Sequence, residues 1–209
     1  MLEHETKAVV LAKEIIGEAD AQVALYTELL GKIDLTAKGL KKITAKLSHH
    51  LEPINLVNVS IVTVNHKHLT SALAINNFPN LRRHPLALSI AIRNLKILNE
   101  SISSPEPDKM LWLEIISFLE DLEELSVTKK DNLMLGRSLY FLSRLARALG
   151  VLPDSISDLK EKYSAKAKIT LQELLSNKNF KKIEESIFNN NIYNEVEPIL
   201  KKIIIQAQS

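Results

Sequence analysis

The sequence predicts an all-α protein, a multi-helix bundle of about nine helices that form two packed helical halves. Apolar residues recur at spacings of three and four over much of the 209 residues, which is the period of amphipathic helices. Only five glycines are available for the tight turns that a sheet-rich fold needs. With only five phenylalanines, the core has to be mainly aliphatic, which suits packed helices.

The beginning of the chain carries an apolar repeat of seven residues. The repeat indicates one long bundle helix ending at Gly31, and its members are Leu2, Val9, Ile16, Val23 and Leu30. A second helix is expected from Asp34, a good N-cap residue, to His49.

The stretch "SHHLEPINLVNVSIVTVNHKH", residues 48–68, allows two interpretations. As a strand, it would place Val57, Val59 and Ile61 on one face. As a helix, it would continue a three-and-four spacing from Ile54 to Ile75. The alternation lasts about seven residues and has no evident partner strand, so we predict a buried helix, although β-branched residues are only fair helix formers.

The rest of the chain reads as a series of helices with short loops. Pro85 suits the first turn of a helix that runs to about Ser101, and the Ser- and Pro-rich segment 101–109 is the best linker. We therefore place a boundary between residues 1–103 and 104–209. Further helices are expected over 108–126, 132–149 with Gly150 as its cap, 154–174, 179–190 and 194–207.

Motifs for common enzyme chemistry are missing from the sequence. There is no cysteine, no P-loop, no nucleophile elbow and no His-Glu-X-X-His pair. His66 and His68 would diverge on the predicted helix and could not share a metal ion. We therefore expect no catalytic residues, no cofactor and no metal site. The longest stretch without Lys, Arg, Asp or Glu, 53–66, is shorter than a membrane span, and the N-terminus does not resemble a signal peptide, so a cytoplasmic location without membrane contact is expected.

Three arginines, Arg137, Arg144 and Arg147, share one face of the 132–149 helix. They could form a ridge that contacts phosphates. The preferred interpretation is an antiparallel hairpin with the acidic 108–126 helix, which brings Glu120, Asp121 or Glu124 near Arg137 or Arg144.

The charge is unevenly distributed. The whole chain carries a net charge of +2, whereas residues 32–100 contain ten Lys and Arg against three acidic residues. Such a segment could contact nucleic acid, with "NLRRHP" at its centre offering arginines and free backbone N–H groups at a helix N-terminus. Aromatic residues are scarce here, so contact should be independent of base sequence. The candidate residues are Lys38, Lys41, Lys42, Lys46, Lys67, Arg82, Arg83, His84, Arg93 and Lys96.

Three classes of function remain open. The preferred hypothesis is a non-catalytic interaction or assembly subunit that acts through a protein partner or self-association, because amphipathic faces abound and no catalytic constellation is evident. The alternative is a sequence-independent nucleic-acid-binding accessory protein that uses the basic 32–96 region. A second alternative is an enzyme whose site cannot be recognised from the sequence.

Overall fold

The computed structural model describes residues 2–16, 20–37, 49–63, 67–103, 106–152, 164–177, 179–183 and 185–206. The chain divides into two compact units. Unit 1 comprises Met1–Phe78 and Leu98–Trp112, and unit 2 comprises Pro79–Ile97 and Leu113–Ser209. The boundary that the sequence suggests between residues 103 and 104 stays a prediction.

Unit 1 is built on a five-stranded antiparallel sheet of order β3-β2-β1-β4-β5. The terminal strands of this order, β3 and β5, also lie close together, so the sheet curves into a partly closed barrel. Aliphatic side chains at alternate positions fill its interior, among them Val23, Leu25, Ile33 and Leu35. The strands are β1 (Leu2–Ile16), β2 (Asp20–Thr27), β3 (Gly31–Ala37), β4 (Leu56–Thr63) and β5 (Lys67–Asn76).

The barrel shows that the predicted all-α class is wrong. Four members of the repeat of seven residues lie in β1 and β2 and the fifth, Leu30, lies in the turn after β2; Gly31 is the first residue of β3 instead of ending a helix. Its φ of 65° is the left-handed conformation that glycine adopts at little cost. The hydroxyl of Thr27 fixes this turn, because it accepts from the N–H of Leu30 and donates to the carbonyl of Gly31.

The predicted buried helix over residues 54–75 is also wrong. Residues 56–63 form β4, in which Val57, Val59 and Ile61 point into the barrel and their neighbours are half-buried. The alternation was therefore the true signal, and the strand's partners are β1 on one side and β5 on the other. The predicted helix 34–49 begins inside β3, and its remainder, 38–48, lies outside the described residues.

Unit 2 is helical, in agreement with the sequence for most of its length. The described helices of the chain are α1 (Pro79–Arg83), α2 (Pro85–Ser101), α3 (Lys109–Thr128), α4 (Asp131–Ala148), α5 (Ala165–Ser176) and α6 (Asn190–Gln206). The predictions for α2, α3 and α4 are confirmed to within a few residues, and Gly150 follows α4 with a φ of 70°. The first part of the predicted 154–174 helix lies outside the described residues, and 179–190 holds two short 3-10 turns, Phe180–Lys182 and Glu185–Ile187.

The core of unit 2 contains the apolar stripes of its helices. Ile115, Phe118 and Leu122 of α3 are fully buried, and the rings of Phe118 and Phe141 stack with their centroids 4.4 Å apart. Neighbouring residues of each stripe are about one helical turn apart in the sequence, so the stripes can be recognised from the sequence alone.

Candidate nucleic-acid interface

The outer face of β1, β4 and β5 carries small polar side chains in register. Glu5, Ser60 and Ser71 occupy facing positions on the three strands. The Ser71 hydroxyl donates to the Ser60 hydroxyl at 2.9 Å, and Thr70 donates to the Ser60 carbonyl at 3.0 Å. This face can form hydrogen bonds, and its described charged residues are of both signs.

The outer face of β2 and β3 is divided into an open and a covered half. Gln22 and Thr36, which face each other, are exposed. Tyr26 and Lys32, which also face each other, lie against the segment 98–112 of the same unit. The Lys32 ammonium donates to the carbonyl of Ile102 at 3.0 Å and to that of Asn99, at the C-terminal end of α2. A cation is favourable at this end of a helix.

Tyr26 is the most deeply covered group on this face, with 1% of its surface exposed. Burial raises the pKa of Tyr26 to about 12, although its hydrogen bond to the backbone of Asp108 opposes this shift. The phenol is therefore neutral at physiological pH and available as a hydrogen-bond donor.

The lysine-rich part of the predicted basic set cannot be placed. Lys38, Lys41, Lys42 and Lys46 lie outside the described residues, directly after β3 in the sequence. Lys67 is the first residue of β5 and is exposed. All of these lysines belong to unit 1, whereas the other candidates belong to unit 2.

The "NLRRHP" segment contains the end of the short helix α1 and the first residue of α2. Arg82 and Arg83 are the last two residues of α1. The backbone N–H groups at its beginning are not free, however, because the carboxylate of Glu123 accepts from Asn80 N at 3.1 Å and from Leu81 N at 2.7 Å. Glu123 therefore caps α1, whereas the N–H groups that we predicted for an anion are those at the beginning of α2, where the N–H of Ala87 donates to His84 Nδ1 at 3.5 Å.

Two other candidates of unit 2 have internal acidic partners. The imidazole of His84 lies 3.4 Å from the carboxylate of Asp131. The guanidinium of Arg93 donates to the Tyr193 hydroxyl at 3.1 Å and lies 3.9 Å from Glu197. Lys96 lies on α2 with an exposed side chain that also has an interaction partner. Part of the positive charge of this unit is thus balanced locally.

The predicted pairing of α3 with α4 is confirmed by Arg137. Its Nε donates to a carboxylate oxygen of Asp121 at 2.8 Å, and its Nη1 lies 2.7 Å from Glu114 without the alignment of a hydrogen bond. Only 1% of the Arg137 side chain is exposed, and the sequence does not predict this burial. Burial raises the pKa of Glu114, and the charge of Arg137 opposes that shift.

Aromatic rings surround the same guanidinium. Its carbon lies 5.4 Å from the ring centroids of Phe118 and Tyr140 and 5.7 Å from that of Phe180, within range of cation–π attraction. This arrangement holds Arg137 inside unit 2 and makes it unavailable to phosphates. The sequence does not indicate that Arg137 is buried. Arg137 and Arg144 are seven residues apart and share one helix face, so the spacing does not distinguish them.

Among the histidines of the stretch 48–68, His50 has a structural contact. His50 Nδ1 accepts from the N–H of Ala74 at 3.1 Å, and His66 lies outside the described residues. Among the residues that the structure does describe, no three His, Asp or Glu side chains are grouped as they would be around a metal ion. No described helix is long and apolar enough to cross a membrane.

The geometry of the barrel can now be compared with known proteins. Residues 1–76 match a family model described as Recombination protein O N terminal. The matched range coincides with the five strands, and the barrel resembles the OB fold, a five-stranded partly open barrel.

Relatives that match more than half of the chain carry one common description. The chain is similar to the DNA repair protein RecO of Thermodesulfovibrio yellowstonii, with 30% identity over 73% of this chain and 60% of the relative. It is 28% identical to the RecO protein of Geobacter metallireducens, over 57% of this chain and 49% of the relative. The RecO protein of Thermoanaerobacter sp. is 25% identical, over 71% of this chain and 58% of the relative. The chain thus spans about half to three fifths of the length of these curated relatives.

These similarities correct the preferred functional hypothesis. A purely protein-assembling subunit was predicted because no chemistry was recognised, whereas the matched proteins are described as recombination and DNA repair proteins. That hypothesis is wrong because the absence of catalytic motifs is not evidence for protein partners. A barrel that binds nucleic acid also needs no catalytic motif.

Proposed function

We propose that this chain is a DNA-binding protein of recombination or repair, which acts by binding and not by catalysis. The observation that carries the proposal is the coincidence of the five-stranded barrel with the 1–76 match to the Recombination protein O N-terminal family. OB barrels bind oligonucleotides with the face of strands 2 and 3 and with the loops that follow strands 1 and 4. The relatives' description as DNA repair proteins supports DNA as the ligand.

The phosphate contacts are assigned to the lysines of unit 1. Residues 38–46 hold four lysines and no acidic residue, and Lys67 begins β5 with an exposed ammonium. Residues 1–78 as a whole contain eight Lys against eight Asp and Glu, so the barrel has no net attraction for a polyanion. Binding therefore depends on where the lysines are concentrated, and it should weaken steeply with added salt.

The basic residues of unit 2 are assigned a secondary role. Arg93 and His84 face acidic or phenolic partners within the unit, which reduces what they can offer to phosphates. Arg82, Arg83 and Lys96 remain candidates for additional contacts. Replacing both Arg82 and Arg83 by Ala should therefore weaken binding less than replacing two lysines of the 38–46 segment.

Fluorescence anisotropy tests this proposal directly. A labelled oligo(dT) of about 30 nucleotides is titrated with the full chain at salt concentrations from about 50 to 200 mM. Each phosphate contact on a single strand contributes about 0.7 to the slope of log affinity against log salt, so the Lys41→Ala/Lys42→Ala variant should flatten that slope by about 1.4. The matched control is Lys166→Ala/Lys168→Ala on α5, where two exposed lysines are removed from unit 2.

Two results would contradict the proposal. One is the absence of binding to single- and double-stranded DNA at low salt and micromolar protein, where even non-specific DNA-binding proteins bind. The other is an equal loss of salt dependence in the α5 control, which would show a general effect of charge and no localised contact.

A further inference from the structure

Tyr26 has an unusual position for the aromatic residue of a barrel. It is the one Phe, Trp or Tyr among residues 1–76. Alternation along β2 places Val23 and Leu25 in the interior and Tyr26 on the outside, on the strand pair with which OB barrels contact oligonucleotides. An aromatic ring on such a face is the usual platform on which a base of single-stranded nucleic acid stacks.

The ring is nevertheless covered. Only 1% of Tyr26 is exposed, and its hydroxyl is hydrogen-bonded to the backbone of Asp108. Beside it, the ammonium of Lys32 is turned to the carbonyls of Asn99 and Ile102. An aromatic ring and a cation that would suit a base and a phosphate are thus both occupied by one segment of the chain.

We infer that the described parts of this segment, 98–103 and 106–112, which we call the strap, compete with single-stranded DNA for Tyr26 and Lys32. The inference rests on the proposed function and adds a regulatory step to it. With the strap closed, DNA reaches only the open half of the face near Gln22 and Thr36. Release of the strap exposes a stacking ring and a phosphate-binding cation together, so tight binding requires the released form.

The cost of release lowers the apparent affinity. When only a fraction of the molecules is in the competent form, the apparent dissociation constant is the intrinsic one divided by that fraction. A substitution that loosens the strap but keeps the ring should therefore tighten binding. A substitution that removes the ring should weaken it, although it loosens the strap as well.

Tyr26→Phe and Tyr26→Ala separate these effects. Phenylalanine keeps the ring and removes the hydroxyl that bonds to Asp108, and the loss of one hydrogen bond should tighten oligo(dT) binding about threefold to tenfold. Alanine removes the platform and should weaken binding at least tenfold relative to Tyr26→Phe, given the usual contribution of one stacked base. Tyr140→Phe, which removes a buried tyrosine hydroxyl in unit 2, is the matched control and should leave the affinity unchanged.

The single tryptophan gives an independent readout. Trp112 is the last residue of the strap and is 4% exposed, so we expect its fluorescence to change when the strap is released. Saturating oligo(dT) should shift its emission to longer wavelength and increase quenching by acrylamide severalfold. The same change should occur in Tyr140→Phe.

The outcomes distinguish this inference from the proposed function. Binding of oligo(dT), seen by anisotropy, with no increase in acrylamide quenching of Trp112 overturns the strap and leaves DNA binding intact. Weaker binding by Tyr26→Phe than by the wild type also overturns it. If no variant binds DNA, the proposed function fails, and the strap fails with it.

Discussion

Arg137→Met should destabilise unit 2 strongly, although Arg137 is not among the proposed DNA contacts. Methionine replaces most of the buried aliphatic stem but none of the charge. The side chains of Glu114 and Asp121 then lose their common cation, and both are mostly buried, with 16% and 15% exposed. The contacts of the guanidinium with three aromatic rings are lost at the same time.

The magnitude follows from burial. Removing one partner of a buried ion pair costs about 3–5 kcal/mol, because the remaining charge stays desolvated. Water retains some access to both carboxylates here, so we expect the lower end, about 3 kcal/mol. Burial already raises the pKa of Glu114, and loss of Arg137 removes the charge that opposes this. The Glu114 carboxyl should therefore be protonated more readily in Arg137→Met than in the wild type. The loss of stability caused by the substitution should shrink as the pH falls from about 8 to about 5.

Urea unfolding followed by circular dichroism at 222 nm measures this cost, since most of the described helical residues are in unit 2. Arg144→Met on the same helix is the matched control, because Arg144 is only half-buried and should contribute about 0–1 kcal/mol. The triple variant Arg137→Met/Glu114→Gln/Asp121→Asn should recover much of the loss, since no buried charge is left unpaired. A cost for Arg137→Met as small as that for Arg144→Met would show that Glu114 and Asp121 do not depend on the Arg137 cation.

Two further predictions concern stability. Gly136→Ala should lower the free energy of unfolding by about 1–2 kcal/mol, because the alanine Cβ would lie 2.4 Å from the buried ring of Phe188. This clash should outweigh the better helix propensity of alanine. An unchanged or higher urea midpoint would contradict the prediction. Tyr26 has a pKa of about 12 in the folded protein and about 10 when unfolded. Its contribution to the free energy of unfolding is therefore complete below pH 10 and is lost as the pH rises toward 12. The stability of the wild type relative to Tyr26→Phe should accordingly fall by about 2–3 kcal/mol between pH 9 and 12 in urea titrations, and a constant difference would contradict the assignment.

The helices of unit 2 could be predicted because their signals are local. The stripe of Ile115, Phe118 and Leu122 repeats within single turns, and Gly150 marks the end of α4 by a conformation that glycine favours. The hairpin between α3 and α4 followed from complementary charges separated by a short loop, and the Asp121–Arg137 contact bears this out.

The barrel could not be predicted in the same way, because its strands pair over long distances in the sequence. β1 pairs with β4, and Val9 of the first strand faces Leu56 of the other. In β1 the consecutive residues Val9, Val10 and Leu11 are all buried, so the expected alternation between the two faces is lost. The alternation in β4 is visible in the sequence, but the segments that pair with it have the spacing of helices.

The candidate site was predictable in part. The concentration of lysines after β3 is a property of the sequence alone, and it points to polyanions before any fold is known. The proposed stacking role of Tyr26 could not be predicted from the sequence, because it depends on the strand and on the face of the barrel to which this tyrosine belongs. The role of Glu123 at the beginning of α1 depends equally on tertiary structure.

Photo-crosslinking tests the central claim most directly. The full chain is crosslinked to an oligo(dT) that carries photoreactive thymidine analogues, and the attached peptides are identified by mass spectrometry. We expect crosslinks mainly in unit 1, within residues 20–46 and at Lys67, and we expect added salt to reduce them. Crosslinks confined to residues 113–206, or none at low salt, would contradict the claim that the barrel is the DNA-binding part of this protein.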